Sequence, residues 1–340
     1  MGLPLAITGT GMVTGVGLSA PASCAAIRCA IDNFQETRFM DSGGEWIMGS
    51  EVALEQPWRG RTKLIKMAAF AIYEVLQGNA DIAPEKTPLL LCLAEQSRSG
   101  RVFDDDNQLF LDLQAELGLE FHEKSRVIAG GHVSVAIAFK HARELIHKLG
   151  VRHVIVAATD SLLVGATLAH YEEKERLLTS NNSNGFIPGE AGAALVVESA
   201  VGRSGGFLCC EGLGFGIEKA HVDSEEPLKA EGLTAAIKES LRDAGKDESI
   251  LDFKITDISG GQYQFKEASL AFSRIDRTHR KEFDIWHPAD CIGEVGAAIG
   301  VINAVVLKAA CEKKYSRGNA ILAHSGNDDG KRSSMIYLWQ

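Results

Sequence analysis

The chain has 340 residues, 45 acidic against 35 basic side chains for a formal charge of −10, and is 45% hydrophobic and 24% charged. That length exceeds the usual single core, so one large domain or two closely joined ones are expected, with disorder confined to loop tips. The acidic balance and the lack of any long basic run exclude a generic nucleic-acid surface and disfavour anionic membranes.

Taken in chain order, "LAITGTGMVTGVG" reads as a strand running into a glycine-rich turn, followed by a helix at Ala20 to Ala30. "TKLIKMAAFAIYEVLQGN" has apolar residues at helical spacing and a Gly-Asn stop, which predicts an amphipathic helix. "TPLLLCLAE" is a buried strand, and "RSGRVFDDDNQ" at 98–108 is expected to be an exposed loop. "VIAGGHVSVAIAFKHA" leaves a buried strand, turns sharply at two glycines and His132, and opens a long helix that Gly150 stops. "HVIVAATDS" is the next strand, and the polar stretch 172–185 is expected to be a second exposed loop.

A Gly/Pro-punctuated loop and strand follow in "NGFIPGEAGAALVVES", then a strand in "GGFLCCEGLGFGIE", a helix in "LTAAIKESLRDAG" and a strand in "ITDISGGQ". The chain closes with the small-residue helix "GEVGAAIGVINAVVLKAACEKK" and two strands, "NAILAHSG" and "SSMIYLW". Strand and helix alternate twice over, which favours α/β layers and two similar halves joined near residue 200.

The seven cysteines are odd in number, scattered and mostly set in apolar segments, the pattern of buried free thiols. No paired Cys or His motif converges on a second, so neither a metal nor another cofactor is expected. The opening "MGLPLAITGTGMVTG" lacks a charged region before a long apolar core, and no stretch reaches about 18 uninterrupted apolar residues, so a cytoplasmic location is expected. Gly9, Gly11, Gly15 and Gly17 miss the G-x-G-x-x-G spacing of a dinucleotide cradle.

Four of these segments together resemble the β-ketoacyl synthases (ketosynthases) of the thiolase fold. "AITGTGMVTGVG" resembles that family's opening strand, and "NGFIPGEAGAALVVES" its Asp-Gly-Phe-x-x-Gly-Glu-Gly-Ala-Gly loop. "GEVGAAIGVINAVVLKAA" resembles its Gly-His-x-x-Gly-Ala-Ala-Gly helix, and "ILAHSGNDDGKRSSMIYL" stands in the place of its closing segment. The resemblance implies two similar βαβαβαββ halves, residues 1–200 and 201–340, in one compact five-layered α-β-α-β-α unit. Its central helices would start near His132 and Glu294. It also implies a homodimer or heterodimer through a continuous sheet, with "PLLLCLAE" and "IAGG" near the interface.

In that family the turn now occupied by His132 carries a cysteine nucleophile, with backbone N–H groups and the helix dipole lowering its pKa and holding the thioester oxyanion. Two histidines and a lysine complete the family's site. Here their places fall on Gly261, Glu294 and Ala289, and Gly326 to Asp329 replace the phenylalanine gate of the closing loop. A glycine has no side-chain donor and a carboxylate repels a malonyl group, so these positions argue against decarboxylative condensation independently of His132.

Two readings of His132 stand side by side. It is either a filler that hydrogen-bonds loop carbonyls in a former active site, or half of a His132–Glu294 pair in which a carboxylate orients an imidazole as general base. Ser134 reads as a helix-start hydroxyl, Glu190 as a structural member of its loop, and Asp160 and Ser161 as strand-end residues able to face the cavity. The expectation is a catalytically degenerate ketosynthase-like protein, a pseudoenzyme acting as a binding or assembly partner. Its protein partner would be an active ketosynthase, a carrier protein, or a secreted effector for which it serves as adaptor, as at type VI secretion loci. The rivals are a chain-length-factor-like subunit of fatty-acid or polyketide synthesis, and an enzyme of reassigned chemistry, an acyl-thioester transferase or hydrolase using His132 and Glu294.

Overall fold

The computed structural model describes residues 3–278 and 282–340. The first half runs β1 (Leu5–Thr14), α1 (Ala20–Arg28), a hairpin of β2 (Gln35–Met40) and β3 (Trp46–Gly49), α2 (Gly60–Gln77), β4 (Leu89–Leu93), α3 (Asp106–Leu117), β5 (Arg126–Ala129), α4 (Ser134–His147), β6 (Val154–Ser161), α5 (Gly165–Glu173) and β7 (Glu190–Ser199). The second runs β8 (Leu208–Ile217), α6 (Glu231–Ala244), β9 (Phe253–Thr256), α7 (Gln262–Ser273), β10 (Ile285–Trp286), α8 (Ala289–Ile292), α9 (Ile299–Glu312), β11 (Ala320–Gly326) and β12 (Lys331–Trp339).

The main sheet has the order β10-β9-β11-β12-β8-β1-β7-β6-β4-β5. Read from its two ends toward the middle, it repeats one pattern. Each edge strand pairs in parallel with its neighbour, that neighbour in parallel with the next, and the remaining pairings are antiparallel. The halves are stitched where Leu5, Ala6 and Ile7 of β1 pair with Cys210, Cys209 and Leu208 of β8.

Helices α4 and α9 contribute Phe139, Ala142, Val301 and Val305 to the same buried cluster as strand residues of both halves, so they form the central layer. Their small, apolar faces are what let the strands of both halves pack closely against them. Helices α2 and α3 cover the outer face of the first half with Met67, Ile72, Leu109 and Leu113, while α6 covers the second with Leu233, Ile237 and Leu241. This α/β, thiolase-like layering is the expected one.

Close helix approach is written into β8 as glycine at every second position. A Cβ on Gly212, Gly214 or Gly216 would meet the carbonyl oxygen of Ser240, Ala236 or Gly232 of α6 at 2.0, 2.0 and 2.1 Å. The two-residue period of a strand is thus matched to the four-residue ridge of a helix.

Several elements differ from the sequence reading. The 98–108 segment is no exposed loop: Arg98 and Phe103 are buried. Its acidic run caps α3, with Asp105 accepting from the Asn107 and Gln108 N–H groups. Polar residues 172–173 finish α5, and "GGQ" is not strand, because Gly261 caps α7. The β2–β3 hairpin, α3, α5 and α7 carry weak or mixed periodicity and are additions to the reading. Six of the seven cysteines are buried and free, and Cys29 is exposed. Among the described residues no helix is long and apolar enough to cross a membrane.

Candidate functional site

The two central helices start from matching turns. Each begins with a single 3-10 turn, Gly131–Val133 before α4 and Gly296–Ala298 before α9. Gly131 and Gly296 have φ of 59° and 54°, left-handed values that favour glycine. The absent Cβ is also used: carboxylate oxygens of Glu95 and Asp160 lie 2.4 and 2.0 Å from where those Cβ atoms would be.

Arg98 ties these two carboxylates together. Its Nε and Nη2 donate to the two oxygens of Glu95 at 2.7 and 2.8 Å, and Nη1 donates to Asp160 at 3.3 Å. Asp160 in turn accepts the Ala297 N–H at 2.9 Å, so the positive end of α9 is already occupied by an internal anion. Burial raises the Glu95 carboxyl and the Arg98 charge lowers it, with a net fall that keeps it ionised.

His132 and Glu294 meet across the seam between the halves. The His132 Nε2–H donates to Glu294 Oε1 at 2.7 Å; Glu294 also accepts from the Gly296 N–H at 2.9 Å and, on Oε2, from the Ser259 hydroxyl at 2.6 Å. Burial disfavours both charges, but each opposes the other's neutralisation, and the result raises the imidazole above its usual value and lowers the carboxyl below its own. The pair is an imidazolium–carboxylate ion pair at neutral pH.

That geometry limits the chemistry. A protonated imidazole does not serve as a general base, and Ser259 donates to the carboxylate and not to His132, so Ser259 and His132 form no relay. Glu294 has three donors, leaving it committed as an acceptor.

The expected family positions divide accordingly. Gly261 turns toward its own helix, where an added Cβ would sit 2.3 Å from Gln264 Oε1. From that loop Ser259 donates to Glu294, and the charge of Asp257 acts on His132 through space. Ala289 is buried at the start of α8 and supplies no charge. Ser134 donates to the Gly131 carbonyl at 2.6 Å, and Glu190 holds its loop through Lys63, the Val52 N–H and Ser161.

The closing loop is pinned across the seam. The Gly326 N–H donates to Asp257 Oδ2 at 2.8 Å, Asn327 Nδ2 to the Gly130 carbonyl at 2.8 Å, and Asp328 pairs with Arg176 at 2.7 Å while accepting from the Tyr171 hydroxyl at 3.2 Å. The space left is small. The cavity lined by Asp257, Tyr263, Asn327 and Asp328 measures about 30 Å³, and that beside Arg98 and Asp160 about 10 Å³. Such volumes hold one or two waters, whereas ligand pockets run to roughly 300–1,000 Å³.

Asp257 was not singled out by spacing, yet it is the group poised to titrate. Burial pushes its carboxyl up to about 6, against the pull of the His132 charge. A carboxyl raised above its unfolded value holds its proton more tightly in the folded state, so its ionisation costs stability as pH rises through about 6. Between pH 5 and pH 8 wild type is expected to lose about 1.4 kcal/mol relative to Asp257→Asn, the worth of the one pH unit up to about 6. Urea unfolding at both pH values checks this; an equal effect at the two would contradict it.

No family model matches the chain, and no curated protein matches it. Its shape does find relatives. The ishigamide ketosynthase/chain length factor superposes with a TM-score of 0.82 at 15% identity over 100% of both chains. The protein has the thiolase fold of the ketosynthases. A type II acyl-carrier protein in complex with its ketosynthase bound to the hexaketide gives 0.81 at 15% identity, again over 100% of both chains. A β-ketoacyl synthase from Burkholderia phymatum gives 0.73 at 16% identity and the same coverage. On this ketosynthase fold, the His132 turn and the Glu294 turn are the paired openings of the two central helices.

Proposed function

We propose that the chain is a non-condensing subunit of the ketosynthase fold that acts by pairing with a second thiolase-fold protein, in the manner of a chain-length factor. The observation that carries this reading is the closed ion pair of His132 and Glu294, which fills with protein charge the place where an acyl thioester would bind. The water-sized cavities beside Asp257 and beside Asp160, and the pinned 326–329 loop, support it. The turn Gly130–Ser134 holds no cysteine.

The deciding experiment offers acyl- and malonyl-carrier protein to the wild type and to His132→Cys and looks by mass spectrometry for acyl adducts and 3-oxoacyl product. The variant is expected to react with iodoacetamide, since a thiol at that helix start gains from the dipole, yet to give no condensation product. Losing a single oxyanion-type donor costs roughly 2.7–4 kcal/mol, and Glu294 adds repulsion of malonate. Product from either protein overturns the reading.

Pairing is the second expectation. Among the described residues strand β5 pairs on one side only, with β4, and leaves its other edge open at the end of the sheet. An open edge on a long sheet is the natural seat of a second chain. Multi-angle light scattering at micromolar concentration is expected to show a dimer, alone or with a co-purifying ketosynthase. A stable monomer that no ketosynthase binds would rule the pairing out.

A further inference from the structure

A second cleft lies outside the His132 network and shares no lining residue with it. It measures about 460 Å³ and sits between the last turn of α1, the edge strand β10, α8 and the turn after α9. Its floor is apolar, with Cys291 and Val306. One wall is aromatic: Trp286, braced from behind by Phe253 at 4.6 Å, lies within 20° of parallel to Tyr315 at a centroid distance of 6.4 Å. Burial pushes the Tyr315 phenol up to about 12, so that wall is neutral at physiological pH.

The rim charges are mostly spoken for. His287 pairs with Asp290 at 2.9 Å, and Arg317 with Asp284 at 2.9 Å. Arg28 differs. Its guanidinium rests 4.5 Å from the Tyr315 ring centre and has no carboxylate partner among the described residues. A cation laid on an aromatic face keeps its in-plane N–H donors free for an anion, preferably one that can be gripped bidentately.

We propose that this cleft binds a planar aromatic ring carrying one carboxylate, the ring against Trp286 and the carboxylate on Arg28, which Tyr315 holds from below. The volume lies within the range of small-molecule sites, and the single uncompensated cation sets the ligand charge. This site goes beyond the pairing function and does not depend on it.

The test is isothermal titration of the full chain with 2-naphthoate, with neutral 2-naphthamide as the charge control and hexanoate as the ring control. Naphthoate is expected to bind best. Arg28→Gln, an exposed position where folding is not at stake, should weaken naphthoate about tenfold and bring it level with the amide, because a charge-assisted contact is lost. Trp286→Leu should weaken naphthoate and naphthamide together. Failure of naphthoate to saturate at millimolar concentration, equal binding of acid and amide by the wild type, or unchanged naphthoate affinity in Arg28→Gln would each overturn the proposal.

Discussion

Glu294→Ala is expected to destabilise the protein by about 3–5 kcal/mol, the cost of stripping the partner from a buried charge. The double variant His132→Leu/Glu294→Met should recover most of that loss, since replacing both members of a buried pair with apolar groups of similar volume is near neutral. The pH profile carries the same signature. Folding raises His132 from 6.5, so its contribution is complete below about pH 6.5 and fades as pH climbs through the folded value. Folding lowers Glu294 from 4.5, so its contribution is complete above about pH 4.5 and fades as pH falls. The wild-type pair therefore contributes most between those limits. In Glu294→Ala the largest upward pull on His132 is gone and only that of Asp257 opposes burial, so the stability the histidine contributes at low pH should shrink. Chemical denaturation across that range measures both effects. A single variant within about 1 kcal/mol of wild type would show that the pair is solvated and weak.

Arg98→Met should cost a similar amount, about 3–5 kcal/mol, by another route. The guanidinium is one cation between two carboxylates, Glu95 and Asp160, whose side chains are 17% and 5% exposed. Removing it leaves both acids pressed against the backbone of Gly131 and Gly296. Local opening should accompany the global loss, with faster hydrogen exchange at 131–135 and 296–300 than in distant core strands once the stability change is subtracted. Uniform acceleration everywhere would mean that Arg98 supports the fold without specifically holding the two helix starts.

How much of this was legible follows from how each signal arises. The central helices were readable because a helix buried on all sides must be small and apolar throughout, as "VSVAIAF" and "AAIGVINAVV" are. The β2–β3 hairpin was not, since QETRFM alternates without an apolar face strong enough to stand out. Helix α7 hid because only Glu267, Ala268 and Ala271 are buried along it. At the site, His132 could be found because it sits in a glycine turn before a buried helix, and Glu294 because the resemblance places it after Gly293 in the matched helix segment. The groups that complete it could not. Arg98 lies in a stretch whose charge density reads as solvent, yet its partner Asp160 is 62 residues away, and no local period encodes such a contact. Asp257 looks like an ordinary strand-end carboxylate until the 326–329 loop is folded over it. An Arg three residues after a Glu at the end of a buried strand was the one available hint.

The pairing of β1 bears on how the chain is made. Its sheet neighbours are β7 and β8, with Leu5 opposite Ser199 and Cys210. A ribosome adding about 5–20 residues each second would need roughly 10–40 s to supply the first of those partners. Throughout that interval LAITGTGMVT lacks its sheet partners, so this largely apolar segment stays open to non-native pairing until residues beyond 190 have emerged.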